Sequence, residues 1–136
     1  MSRLMSVAFT EQAVVERRKT VTRRKGWWED KNGRRLLKPG DRLTLCRKVM
    51  GRKPGEPLVR LCEVEVVKVT REPLNWLVRD TWHYLPNWAA REMEREGFPG
   101  LPPGEFLDRY FIKAQGMGVD DFVTRIEWRY LDGDAS

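Results

Sequence analysis

The cleanest alternation of apolar and polar side chains runs over residues 58–70, where Val64, Val66 or Val67, and Val69 alternate with Glu63, Glu65 and Lys68. A repeat of two is the mark of a strand with one buried face. Residues 42–49 carry the same pattern through Leu43 and Leu45, and the Gly/Pro-rich stretch 51–57 separates the two runs. Together they predict a long antiparallel hairpin. Lys38-Pro39-Gly40-Asp41, just before it, is a turn: Pro presets φ for the first central position and Gly tolerates positive φ at the second.

On either side the pattern changes. Residues 5–9 read as a short strand. Thr10 can cap a helix that carries Glu11, Ala13 and Val14 and ends at the basic pair Arg17-Arg18. The β-branched run 20–24 predicts a second strand, and residues 25–38 a polar loop with Trp27, Trp28 and the turn signal Lys31-Asn32-Gly33. After Pro73 the pattern becomes helical or irregular. Asn87 can cap a helix over residues 88–96, which Gly97 and Pro99 terminate. Phe106, Leu107, Tyr110 and Phe111 recur at helical spacing over residues 103–112, and residues 122–131 close the chain as a strand. The order β-α-β, long hairpin, two helices and final strand predicts a small mixed barrel or α+β domain.

Composition narrows the chemistry. The chain has 136 residues, a formal net charge of +6, 40% hydrophobic and 34% charged residues. That suits one domain with a real core, expected over about residues 5–131 with a frayed acidic tail at 132–136. No apolar run approaches the ~18 residues of a membrane span, and the N-terminus lacks the apolar stretch of a secretory signal; the expectation is a cytoplasmic protein. One histidine, His83, and two cysteines, Cys46 and Cys62, argue against a protein-held zinc site. No cofactor is called for. The cysteines read as reduced core residues on neighbouring hairpin strands. A Ser-His-Asp triad would have to draw on His83, which sits in the apolar, aromatic stretch around Trp82 and Tyr84.

The segment Arg17-Arg18-Lys19-Thr20-Val21-Thr22-Arg23-Arg24-Lys25 packs six basic residues into nine without an acid. It reads either as a solvated face or as an anion site, where arginines hold phosphate and nearby Trp27 and Trp28 offer stacking surfaces. Strand alternation puts Thr20, Thr22 and Arg24 on one face. Lys19 meets Thr22 only if it belongs to the preceding turn. A threonine hydroxyl needs a base to become a nucleophile, and a lysine can be that base when burial and neighbouring cations lower its pKa. Trp76, Trp82, Trp88 and Trp128 read as core, with Trp82 and Tyr84 available as a lid.

The ordered set Arg18-Lys19-Thr20-Val21-Thr22-Arg23-Arg24, Leu37-Lys38-Pro39-Gly40-Asp41, Glu63-Val64-Glu65-Val66 and Glu96-Gly97-Phe98 resembles the ASCH domain of the PUA-like superfamily. The resemblance covers about residues 5–130 and is greatest to small bacterial and bacteriophage members. It implies a single-domain α+β fold, a β-barrel flanked by helices, with a cleft for a nucleobase or RNA. Bacterial members that hydrolyse N4-acetylcytidine are part of it, and their functional residues fall here on Lys19, Thr22 and Glu96, with Glu92 or Glu94 as alternative acids. The implied chemistry is attack by Thr22 on the acyl carbonyl with Lys19 as base, and Glu96 orienting Lys19 or passing a proton. Water activated by Lys19 and Glu96, with Thr22 positioning it, is equally compatible. Arg24, with Arg23, Thr20, Trp27 and Trp28, would bind substrate, phosphate or the oxyanion. Two other readings stand beside this one: a non-catalytic RNA-binding module, for which the whole run from Arg17 to Lys25 is a docking surface, and a ribonuclease. Either way the expected partner is a modified cytidine nucleoside or nucleotide, or RNA.

Overall fold

The computed structural model describes residues 2–79 and 87–131 of the chain. The strands are β1 (Arg3–Ser6), β2 (Val21–Arg24), β3 (Arg42–Cys46), β4 (Arg60–Pro73) and β5 (Phe122–Tyr130). They form one curled sheet in the order β1-β3-β4-β5-β2, a half-barrel in which only β1 and β3 run parallel. The helices are α1 (Glu11–Val15), α2 (Trp88–Glu96), α3 (Pro103–Leu107) and α4 (Lys113–Gln115), with a π-helical segment, Asp108–Ile112, joining the last two. The expected α+β architecture and element order are therefore present. No helix of the described residues is long and apolar enough to cross a membrane.

Sheet alternation sorts two cores. Ile126 and Trp128 on β5 join Val64, Val66, Leu43 and Leu45 in a cluster that α1 closes with Val14. Val123 points the other way, into a second cluster with Met93 of α2 and Leu107, Phe106 and Phe111 of the C-terminal helices. The turn before β3 forms as its residues predict. Gly40 has φ of 97°, the Asp41 carboxylate accepts from the Lys38 N–H at 3.0 Å, and the turn bonds to Val66. Trp128 is buried as expected; Trp76 and Trp88 are half-buried, and Trp82 lies outside the described residues.

Four local expectations need correction. Neither the Thr10 nor the Asn87 side chain accepts a cap bond from an N–H of the helix it precedes. Thr10 ends a 3-10 turn that runs straight into α1, and Asn87 has a φ of 66°, which places each side chain away from the free N–H groups. Strand β3 stops at Cys46 and β4 starts at Arg60, so the hairpin loop is longer than its composition indicates. The cysteines are offset: Leu45 stands opposite Cys62, and Cys46 opposite Arg60.

The most consequential irregularity is a bulge in β4 between Val66 and Lys68. One extra residue reverses the alternation, since side-chain direction has a period of two. Before the bulge Val64 and Val66 face the half-barrel core; beyond it Val69, opposite Ile126, takes that role. Glu72 consequently falls opposite Val123, on the face that α2 covers. Without the bulge its carboxylate would enter the apolar core.

Gly97, after α2, combines a φ of 97° with a close approach to α1. A Cβ there would stand 3.0 Å from Ala13 Cβ and 3.1 Å from Thr10 Cγ2. Gly97→Ala should therefore destabilise the protein by about 2–4 kcal/mol, the left-handed penalty plus overpacking, read as a lower urea midpoint at unchanged m.

Candidate functional site

Lys19 owes its position to the way α1 ends. Arg17 adopts a φ of 64°, and the N–H groups of Arg18 and Lys19 both donate to Ala13 O, at 2.8 and 3.2 Å. Lys19 thus belongs to the turn, free of the strand alternation that begins at Val21. Its carbonyl is fixed by Trp128 Nε1 at 3.0 Å and by the Tyr130 hydroxyl. Its side chain is only 2% exposed and lines one cavity with Thr22, Arg24 and Glu96. The cavity measures about 200 Å³, and Phe98, Phe106, Tyr110 and Phe111 line its apolar side.

Glu96 is the last residue of α2, and Gly97 turns the chain so that Phe98 N–H bonds back to Met93 O at 2.8 Å. The Lys19 ammonium fills the helix end: Nζ donates to Glu96 O at 2.6 Å and to Glu96 Oε1 at 3.3 Å. A cation at a helix C-terminus is favoured by the aligned peptide dipoles. Burial nevertheless dominates and, with Arg24 nearby, pulls the Lys19 pKa down to about 8 against the opposing pull of Glu96. Thr22 presents Oγ1 to Arg24, whose Nε donates to it at 3.1 Å, while Arg24 Nη2 is anchored on Ser6 O at 2.6 Å. Burial also lowers the Arg24 pKa, with Glu96 opposing.

Behind the cavity lies a buried ionic cluster. Arg23 Nε donates to Glu72 at 3.1 Å, Nη1 to Glu96 Oε2 at 3.0 Å, and Nη2 to Glu92. Arg125 donates to both Glu92 oxygens, at 2.7 and 3.1 Å, and to Glu127 at 3.0 Å. Burial would depress the Arg23 pKa, but Glu96, Glu72 and Glu92 outweigh it and raise the value. Glu92 is likewise held below the usual carboxylate range, since Arg125 and Arg23 overcome its burial. Within this cluster Lys19, Arg23 and Arg125 face Glu72, Glu92 and Glu96, three cations against three carboxylates, with Arg24 left outside it.

The sequence candidates divide accordingly. Lys19, Thr22, Arg24 and Glu96 meet in the cavity; Arg23 borders it, but every nitrogen of its guanidinium already serves a carboxylate. Glu92 is one turn back in the ionic cluster, and Glu94 is exposed. Thr20 contributes backbone bonds to Arg95 and Trp128 instead of lining the cavity. Trp27 packs on the half-barrel core, and Trp28 stacks with Arg35 at 3.5 Å. The basic run is not one surface: Arg18 pairs with Glu16, Arg23 is buried, and Lys25 is exposed. His83, Trp82, Tyr84 and the acidic tail lie outside the described residues.

Sequence reasoning passed over Glu72, Arg125 and the aromatic wall with Phe9, which is 80% exposed at the cavity and stands 5.5 Å from Tyr110. Arg125, Glu127 and Arg129 stand at alternate positions of the strand 122–130, and nothing in that spacing separates the buried Arg125 from the other two.

No family model matches the sequence, and no curated protein matches it. Solved structures do. Protein EF3133 from Enterococcus faecalis V583, described under the family model DUF984, superposes with a TM-score of 0.62 at 16% identity, over 96% of this chain and 80% of that one. The ASCH domain from Lactobacillus crispatus JV V101 gives 0.59 at 10% identity, over 95% and 79%. ASCH from Zymomonas mobilis gives 0.51 at 15% identity, over 94% and 65%.

Removing Arg125 leaves Glu92 its bonds to Arg23 and Arg95 but leaves the buried cluster one cation short of its three carboxylates. Arg125→Met should cost about 3–5 kcal/mol in urea unfolding, against at most about 1 kcal/mol for Arg129→Met, which breaks the exposed pair with Glu65.

Proposed function

The chain is folded as an ASCH domain, and from that premise we propose that it removes the acyl group from an N4-acylated cytidine-type base. One observation carries the reading: the Thr22 hydroxyl accepts a hydrogen bond from Arg24 in the same cavity as a lysine whose pKa is lowered to about 8. With Arg24 donating to it, the hydroxyl has its own proton free to give, and negative charge building on Oγ1 has a cation beside it.

Thr22 Oγ1 bonds to the acyl carbon while its proton passes to neutral Lys19. Arg24, which makes no ion pair among the described residues, faces the oxyanion. Collapse breaks the bond from carbon to N4, and Lys19 returns the proton to the leaving amine. Water then adds to the Thr22 ester, Lys19 takes its proton, and the carboxylate product departs as Thr22 recovers its hydrogen. Glu96 holds Lys19 through Oε1, and Arg23 holds Glu96 through Oε2. The aromatic side of the cavity gives the flat base an apolar bed.

Hydrolysis of N4-acetylcytidine, followed by chromatography, tests this. Lys19→Met and Thr22→Val should each lose about 10²–10⁴-fold in kcat, while Thr22→Ser retains turnover. Because neutral Lys19 is the active form, kcat/KM should rise with pH up to about 8 and then level. Glu96 raises the Lys19 pKa, so Glu96→Gln should move that rise to lower pH. Full activity in Lys19→Met, or a profile flat between pH 6 and 9, would refute the assignment.

A further inference from the structure

A second gathering of arginines and rings lies on the sheet beside the cavity. Arg24 of β2 and Arg71 of β4 both stand opposite Thr124 of β5. Directly opposed residues in antiparallel strands project to one face. The two arginines therefore share a face, two strand spacings or roughly 10 Å apart. Phe122, two residues from Thr124, is on that face as well and is 51% exposed. Farther along β5 the same face carries Ile126 and Trp128, inside the core. One sheet face thus passes from closed apolar core to an open end of basic and aromatic groups.

The loop after β2 builds the rest. Arg35 packs its guanidinium 3.5 Å over the Trp28 ring, and Arg71 stands 5.9 Å from Trp28 and 6.0 Å from Phe122. Among the described residues, Arg24, Arg35 and Arg71 have no carboxylate within ion-pair distance; exposed Arg42, Arg52, Arg60 and Arg91 share that, and what sets these three apart is their place around Trp28, Phe122 and the cavity. The same loop does hold two acids. Asp30 spends its carboxylate on the N–H groups of Asn32 and Arg34, and Glu29 is exposed. Exposed Lys25 and Arg34 add two cations. Guanidinium groups crowded about one indole repel each other, and a polyanion relieves that repulsion.

We propose that this end of the sheet is a docking track for single-stranded RNA, which runs past Arg35, Trp28 and Arg71 and delivers one base into the cavity at Arg24. The cations meet phosphates, while Phe122 and the outer guanidinium planes offer flat faces to neighbouring bases. A base enters the cavity only when splayed from its neighbours, which a duplex resists. The track rests on the reading of the cavity as a base site, and is independent of the hydrolytic step.

The test uses the full chain and a labelled single-stranded oligoribonucleotide of mixed sequence, with binding followed by fluorescence anisotropy at about 50 and about 200 mM salt. Arg35→Gln/Arg71→Gln removes two exposed phosphate contacts. Over that salt range wild-type affinity should fall about sevenfold more than the double variant's, at about 0.7 per phosphate contact in the log–log slope. Hydrolysis of free N4-acetylcytidine should be equal in the two proteins, which also reports that the variant is folded. A wild type that does not bind, a variant with the same affinity and salt dependence, or equal affinity for the duplex form would overturn the track. RNA binding that responds to the double substitution, in a protein that turns over no N4-acyl cytidine, supports the track and removes the hydrolase.

Discussion

The buried guanidinium of Arg23 is the constraint on which the site depends. It joins β2 to β4 through Glu72 and to α2 through Glu92 and Glu96, three carboxylates on two elements far apart in sequence. Burying a cation costs several kcal/mol unless its donors are all met, and Arg23 meets its with charged acceptors. The arrangement is intolerant of error: shift α2 by one turn or β4 by one residue, and a charge is stranded. A buried ionic cluster of this kind contributes little net stability compared with a packed apolar core, yet it accepts only one register of the elements it joins. That fixed register brings the end of α2 to the turn that carries Lys19.

Two devices act on Lys19 in opposite senses. The helix end and Glu96 favour its protonated form, and burial beside Arg24 favours the neutral form. Burial wins by enough to bring the pKa to about 8, near the working range of a general base. Arg23 and Arg24, neighbours in sequence, have opposite fates because strand alternation sends them to opposite faces. Arg23 is saturated by acids. Arg24 stays uncompensated in the cavity, held by a hydroxyl and a carbonyl.

Most of the fold was legible in the sequence because most of it follows from local periodicity. The hairpin strands, the Pro-Gly turn, α2 with its terminal glycine and the last strand all announce themselves through spacing of two or about 3.6 and through turn residues. Lys19, Thr22 and Arg24 were legible as candidates because they sit in a dense basic run between a helix end and a strand start, whereas Glu96 entered only through the family resemblance. The bulge in β4 was not legible. Val66-Val67 offers two apolar residues in succession, and either can face the core, so the phase beyond them is decided by pairing with β5. Glu72 inherits its face from that tertiary choice, and its partnership with Arg23 was hidden with it. The cap residues failed for a local reason: Thr10 and Asn87 have suitable side chains, but Thr10 ends a 3-10 turn and Asn87 is left-handed, and neither has the extended backbone of an N-cap.

The dense basic run illustrates why charge counted along a sequence misleads about a surface. Its members are divided by backbone geometry before electrostatics can act on them. Arg17 takes the left-handed turn that ends α1, and Arg18 turns out to Glu16. Lys19 goes into the cavity, and Arg23 and Arg24 take opposite faces of β2. What identifies a cation as available to a ligand is the absence of an acid that already serves it. That criterion, narrowed to the cations gathered around Trp28, Phe122 and the cavity, moves the proposed polyanion-facing charge from the run itself to Arg24, Arg35 and Arg71, which are scattered in sequence and collected by the pairing of three strands and one loop. The same acids that lock Arg23 and Arg125 into the interior leave these arginines uncompensated, so the folding cluster and the ligand-facing charge arise from one distribution of carboxylates.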